Sequence, residues 1–287
     1  MKQKKIHLGV GANLHAHSHH LERDQMQAIV LKEAAAMAQE GFDDMELCIA
    51  HFEPWMQTFS ESYWQELGQM IRDVGIEPIS VHGPYYPDMQ TDPSQAKDML
   101  IRHAKAASAL GSQAMVIHPV YHQHLHVTPI MKQALTWDIE LSLAISDALG
   151  DSPTKLAIEN VPFNNFAYLA ELFANLDRPN IGMCFDTGHY HVRPEHNLTQ
   201  ILKTFGKRIV HVHLSDNNGL SDQHLPVGQG TFDWQQWFTL LPMDLLNQHL
   251  MMELSPPLLC QSDDAYQQTR SLNAQALTGI RHLLAKQ

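Results

Sequence analysis

Nine side chains of metal-binding type fall at or just after the ends of short apolar runs: His82, His118, Glu159, Asp186, His189, His213, Asp222, His224 and Glu253. Six of them close such a run directly, as His82 closes PISV, His118 closes AMVI, Glu159 closes LAI and Asp186 closes MCF. His213 and Glu253 close the last two runs, His189 follows Asp186 in D-T-G-H, and Asp222 and His224 form D-Q-H in the segment after His213. Neutral imidazole is the commonest protein metal ligand, and the chain holds 20 histidines against 19 lysines and arginines together. Carboxylates mixed with imidazoles suit Mn, Zn, Fe or Co and disfavour soft copper. Glu159 and Glu253 carry most weight, because a carboxylate at the end of a buried strand needs a cation or donors to offset its desolvation. A lone strand-end histidine such as His82 or His118 is equally well explained by a hydrogen-bonded structural role. Glu159, Asp186, His213 and Glu253 suffice for one octahedral ion with positions left for substrate oxygens. All nine extend this to two or three ions sharing carboxylates.

Positioning these residues around one point requires a particular fold. Apolar runs at 7–13, 44–50, 77–83, 113–119, 155–160, 180–186, 209–216 and 249–255 alternate with helix-period segments at 24–40, 61–74, 94–110, 129–149, 165–175, 198–205, 233–241 and 263–285. Continuous apolar strands are those of a buried parallel sheet, and strict alternation of strand and helix is an α/β pattern. Eight such units predict a (β/α)8 barrel, which needs about 250 residues and collects its active site at the carboxyl ends of the strands. The 287 residues, 44% of them hydrophobic, are read as one barrel domain over 1–287. No G-x-G-x-x-G loop follows the first strand, so no nucleotide cofactor is expected.

Other features bound the function. A net charge of −12 argues against a broad nucleic-acid surface. Cys48, Cys184 and Cys260 form neither a disulfide framework nor a zinc knuckle, which points to a reducing cytoplasm. The basic start MKQKKIHLGVGAN has too short an apolar run for a signal peptide, and no stretch reaches the roughly 20 apolar residues of a membrane helix. His211 shares the face of His213 but lies deeper in the barrel, and Cys184 reads as an inert buried thiol. His15, His17, His19 and His20 crowd the loop after the first strand, as a solvated loop rather than a lid or substrate contact. His51, with Phe52 and Trp55, could wall a polar substrate pocket, and His122, His124 and His126 could line the same face. Arg193 and Lys207 are candidate phosphate contacts.

The segments VHGPYYPD (81–88), VIHP (116–119), IENVP (158–162), CFDTGH (184–189), HLSDN (213–217), DQHLPVGQGTFDW (222–234) and MELSP (252–256) resemble the xylose isomerase-like TIM-barrel superfamily over nearly the whole chain. That superfamily includes sugar isomerases and epimerases and the endonuclease IV enzymes. The resemblance implies a core metal site at Glu159, Asp186, His213 and Glu253, with His189 touching substrate or a further metal. In the endonuclease IV branch all nine positions bind three zinc ions; Gly188 departs from the cysteine usual there, and the D-x-H-x-P-x-G-x-G loop is of isomerase type. The expected activity is therefore isomerisation or epimerisation of a small sugar or keto-polyol, with a divalent ion (Mn, Zn, Co or Fe) polarising a carbonyl and stabilising the enediolate. Glu159 and Glu253 would move the protons. His82, His189, Asp222, His224, His51 and Trp55 would bind the substrate. The alternatives are an endonuclease IV-like zinc phosphodiesterase, a dehydratase of an inositol-type ketone, and a ligand-binding barrel without catalysis.

Overall fold

Eight parallel strands pair in sequence order and the last closes on the first: β1 (His7–Gly11), β2 (Asp44–Cys48), β3 (Glu77–His82), β4 (Ala114–Ile117), β5 (Lys155–Glu159), β6 (Ile181–Asp186), β7 (Ile209–Leu214) and β8 (His249–Met252). The computed structural model describes residues 6–12, 23–84, 93–120, 128–162, 166–192, 197–241, 249–254 and 263–285. Around the barrel run α1 (Arg23–Glu40), α2 (Glu61–Asp73), α3 (Pro93–Leu110), α4 (Thr128–Leu149), α5 (Phe166–Ala174), α6 (Thr187–His191), α7 (Leu198–Phe205), α8 (Trp234–Leu240) and α9 (Asp263–Leu284). Four helices give way to strands at Gly41, Gly75, Gly111 and Gly150, all with positive φ, the helix stop that glycine favours.

In-register neighbours in a parallel sheet share a face, and alternate residues along a strand share it too. The pairs Gly11↔Glu46, Glu46↔Ser80, Cys48↔His82, Glu159↔Cys184, Asp186↔His213 and His213↔Met251 therefore line the barrel's interior. One side of that interior is small and apolar, with Ala114, Val116, Ala157 and Cys184 packed together. The other side is polar, with Glu46, His211 and His213 all buried. The larger core lies outside the strands, where Leu47, Val81, Phe185 and Leu250 meet the helices through Trp64, Ile71, Leu172 and Trp237. Trp237 is fully buried and stacks on Phe185 at 4.8 Å. Each such side chain contributes about 1.5–3 kcal/mol.

The observed strands are shorter than the apolar runs. Pro119 has no N–H to continue the ladder, so β4 ends at Ile117 and His118 sits one residue beyond it. Glu253 likewise lies one residue past β8, its N–H bonded to the Leu214 carbonyl at 3.1 Å. Residues Ile49–Thr58 form a 3-10 stretch, in which Phe52 is fully buried against Phe59 and Trp64. Phe52 is thus core and not a pocket wall. Lys207 lies in the 3-10 turn Gly206–Arg208 that leads into β7. That is the opposite end of the barrel from the strand carboxyl ends, so Lys207 takes no part in the site. Arg193 lies outside the described residues.

The segment between β7 and α8 is organised by Asp216. Its backbone bridges Leu225 in both directions at 2.8 and 2.9 Å. Its carboxylate accepts from the N–H of Gly228 (3.0 Å), the N–H of Phe232 (3.2 Å) and Nε1–H of Trp234 (2.8 Å). Gly230 approaches so closely that any side chain there would overlap Asp216 Oδ1 and the Asn217 carbonyl. Asp222 and His224 ride on this frame. Asp216→Ala would orphan these donors at about 1–3 kcal/mol for each buried one, so the melting temperature is expected to fall by at least about 4 °C. An unchanged thermal unfolding curve would contradict this account of the segment.

Candidate metal centre

Glu159, fully buried at the end of β5, is the hub of the site. Its Oε2 lies 3.0 Å from His118 Nε2 and 3.4 Å from His82 Nε2. Its Oε1 lies 3.0 Å from His213 Nδ1 and 3.4 Å from His189 Nδ1. The same His213 Nδ1 is 3.0 Å from Glu253 Oε2. On the outer side, Asp222 Oδ2 is 3.3 Å from His189 Nε2 and 2.9 Å from His224 Nε2, and His224 Nδ1 is 3.9 Å from Glu253 Oε1. Asp186 stands 3.7 Å from His189 Nδ1 through Oδ1. All nine residues singled out in the sequence thus meet in one connected cluster. Within it, His82–His118–Glu159 and His189–Asp222–His224 are two separate groups of three donors, each with ligand atoms inside 4.8 Å.

Several imidazoles are held by one nitrogen while the other faces the cluster. His82 Nδ1 bonds the Gly83 carbonyl at 2.8 Å and His189 Nδ1 bonds the Asn160 carbonyl at 2.8 Å. A carbonyl only accepts, so Nδ1 carries a proton in both, and Nε2 is the nitrogen that can give up its proton to take a cation. His213 is held by Nε2, 3.1 Å from Glu46 Oε2, leaving Nδ1 toward Glu159 and Glu253. A ligand imidazole anchored through its second nitrogen is the usual arrangement at protein metal sites. His224 has φ +46, the one non-glycine residue with positive φ among those described; such strain concentrates at functional sites.

The family model described as xylose isomerase-like TIM barrel matches residues 34–273. The chain belongs to the xylose isomerase-like TIM barrel family. It is 27% identical over 215 residues to the uncharacterized protein MJ1311 of Methanocaldococcus jannaschii, covering 69% of this chain and 70% of that one. Among solved structures, a D-tagatose 3-epimerase-like protein superposes with TM-score 0.67 at 21% identity over 96% of this chain and 99% of that chain. The D-allulose 3-epimerase of a Methylomonas species in complex with D-allulose gives 0.70 at 16% identity, covering 98% of each chain. A zinc-bound IOLI protein gives 0.71 at 16% identity, covering 98% of each chain.

In this member of the family, two residues not singled out from the sequence complete the site. Glu46, buried in β2, accepts from His213 Nε2 and from Ser80 Oγ (2.8 Å), and lies 3.5 Å from His211 Nε2. Asn160 brackets Asp186, donating to its carbonyl and accepting from its N–H, both at 2.9 Å. Their signals were present: D-M-E in β2 puts carboxylates two apart on one face of an otherwise apolar strand, and Asn160 follows Glu159 directly. The residues after Asp186 form the short helix α6, and Asp186 caps it by accepting the His189 N–H through Oδ1. Gly188 packs closely on Ser215, and a Cβ there would stand 2.1 Å from Ser215 Oγ, so a side chain would require that hydroxyl to turn away. His211 is the deep interior histidine expected, and burial raises the Cys184 thiol well above its ordinary range, so it is inert. Trp55 is half-buried in the 3-10 stretch and packs on the core. The side chain of His51, and His15, His17, His19, His20, His122, His124 and His126, lie outside the described residues.

The electrostatics fit a cation. Burial raises the carboxyls of Glu159 and Glu46, but the facing imidazoles, His213 above all, outweigh it and hold both well below the usual range. Glu253 is drawn to about 2 by His224 and His213 against the effect of burial. Asp186 goes the other way: burial, with repulsion from Glu159 and Glu253, lifts it to about 7. Burial depresses His82 and His224, yet Glu159 beside the one and Glu253 and Asp222 beside the other lift each to about 9. Protons thus stand where a cation would. Asp186 Oδ2 and His224 Nδ1 are moreover buried with no hydrogen-bond partner among the described residues. The donor set fits a divalent transition ion at Glu159, Asp186, His213 and Glu253.

Two outcomes follow. Glu46→Gln is expected to weaken metal binding by roughly 10–100-fold, read by chelator-competition titration; an unchanged affinity would remove Glu46 from the site. For chelator-treated protein, the stability contributed by His82 and His224, raised from 6.5 to about 9, is full below pH 6.5 and lost as pH rises through 9. Asp186, raised from 3.8 to about 7, has already lost its contribution above 7. The melting temperature of stripped protein should therefore fall between pH 6.5 and 9, and that of metal-loaded protein should fall less. Parallel curves would contradict the exchange of protons for a cation.

Proposed function

We propose that the protein is a divalent-metal-dependent isomerase or epimerase of a small sugar or keto-polyol. The observation that carries this reading is the pair of carboxylates, Glu159 fully buried and Glu253 mostly so, each 3.0 Å from one nitrogen, His213 Nδ1. Glu159, Asp186, His213 and Glu253 would hold the ion. When bound, a divalent ion supplies Lewis-acid polarisation of a carbonyl oxygen and so acidifies the adjacent C–H. One glutamate removes that proton and the other returns a proton to the substrate's enediolate form. His189, Asp222, His224 and His82 orient hydroxyl groups, with Trp55 and His51 on the flank contributed by the segment after β2. The same proton abstraction followed by loss of water would make a dehydratase of an inositol-type ketone, a close variant. The epimerase relatives reported for the fold, one of them in complex with D-allulose, support the substrate class, and the zinc in the IOLI structure supports the ion.

A second reading has its own observation. The two extra groups of three donors, His82–His118–Glu159 and His189–Asp222–His224, would suit further ions, as a multinuclear zinc phosphodiesterase requires. The test takes metal-loaded protein in deuterated water with a panel of ketoses and inosose-type ketones, and follows deuterium entering the carbon beside the carbonyl by NMR. Exchange with at least one of them is expected, and Glu159→Gln and Glu253→Gln should each reduce it by at least about 100-fold. Undiminished exchange in both variants would end this mechanism. Cleavage of an abasic-site oligonucleotide without any exchange would move the assignment to the phosphodiesterase.

A further inference from the structure

The opposite end of the barrel carries a second cluster of ligand-type side chains. His7 opens β1, Asp44 opens β2 and His249 opens β8, so all three stand at the amino ends of strands, a barrel's length from Glu159. His7 and His249 are direct cross-strand partners on the seam where the last strand closes on the first. Asp44 pairs with Gly9, two residues along β1 from His7. Met251 pairs with both His213 and Gly9, which fixes the face: alternation puts His249, His7 and Asp44 inward. Gly9 makes the room, since a Cβ there would stand 2.6 Å from Met251 Cε and 2.9 Å from Asp44 Cβ.

The contacts within the cluster are half made. Asp44 Oδ2 is 2.6 Å from His249 Nδ1. Asp44 Oδ1 is 3.8 Å from His7 Nδ1, and both of those atoms are buried with no hydrogen-bond partner among the described residues. The two rings meet edge to face at 4.9 Å, and one ligand atom from each residue lies within 4.8 Å of the other two. A fully buried carboxylate leaving one oxygen unbonded carries a desolvation cost. A gap of 3.8 Å is too long for a hydrogen bond and suits two atoms each about 2.0–2.2 Å from a shared ion. The His7 and His249 side chains are 40% and 22% exposed, which leaves a route for the ion and for water on its remaining positions.

We propose that His7, Asp44 and His249 bind a divalent transition ion of the zinc type, which ties the β1–β8 seam to β2 at the amino end of the barrel. Two imidazoles and one carboxylate are a donor set zinc accepts, and the absence of a thiolate in it argues against soft ions. This site is independent of whatever the carboxyl-end centre binds.

The test is equilibrium dialysis of chelator-stripped protein against micromolar zinc, with His7→Gln, Asp44→Asn and Glu253→Gln beside the unmodified chain. His7→Gln changes the most exposed of the three and keeps the His249–Asp44 bond, so it retains the fold; Asp44→Asn is the second probe. Each of these two is expected to bind one zinc fewer than the unmodified chain. Part of the zinc-induced rise in melting temperature should vanish with that ion, as linkage requires. Glu253→Gln reports on the other centre and should keep the seam ion. Unchanged zinc stoichiometry in His7→Gln and Asp44→Asn would overturn the proposal and leave Asp44–His249 as an internal ion pair.

Discussion

The constraint on which the rest of this molecule depends is the desolvation of charge at the carboxyl end of the barrel. Glu159, Asp186 and His213 are completely buried, and a carboxylate in that position is tolerated only with opposite charge and hydrogen bonds around it. The neighbouring architecture answers this need. Asn160 fixes the backbone of Asp186, Glu46 fixes His213, and backbone carbonyls fix His82 and His189. The Asp216 frame delivers Asp222 and His224 from outside, at the expense of a strained φ at His224. Each of these supports removes a freedom that would let the cluster relax into ordinary ion pairs, and Glu46 also stands with His211 and His213 as a group of three ligand-type side chains.

The same demand divides the barrel interior. Ala114, Val116, Ala157 and Cys184 fill one side with small apolar groups, and Glu46, Ser80, His211 and His213 run a polar chain down the other. A barrel whose inner wall is half polar takes less stabilisation from its centre. The outer layer compensates, where aromatic residues such as Trp64, Phe185 and Trp237 lock the helices onto the strands. Fold stability and site chemistry therefore occupy different layers, which lets the strand ends carry charged residues without loosening the sheet.

Much of this was legible in the sequence, for physical reasons. The eight strands announce themselves because both faces of each are buried, so the apolar runs are continuous and the glycine stops between units are sharp. The nine ligand-type residues stand out because they end those runs. Glu46 was hidden by the same logic: within D-M-E-L-C it looks like a polar interruption, and only the register with Ser80 and the reach of His213 Nε2 reveal its place. His7 and His249 were equally silent, because a residue at the start of a strand is not marked by what precedes it and their pairing depends on barrel closure. Asp216 was visible in HLSDN, but its role depends on where Gly228, Phe232 and Trp234 return to it. The 3-10 stretch at Ile49–Thr58 was not legible, because its aromatic residues follow no strand or helix period.

The claim at the centre of this account is that the carboxyl-end cluster is built to hold metal. The most direct measurement is an anomalous-difference map at transition-metal absorption edges, from crystals of protein purified without added metal or chelator. The account predicts a peak within bonding distance of Glu159, Asp186, His213 and Glu253, with His213 Nε2 still turned to Glu46. A map without density there, with Glu159 and Glu253 closed onto His213 as simple ion pairs, would contradict it.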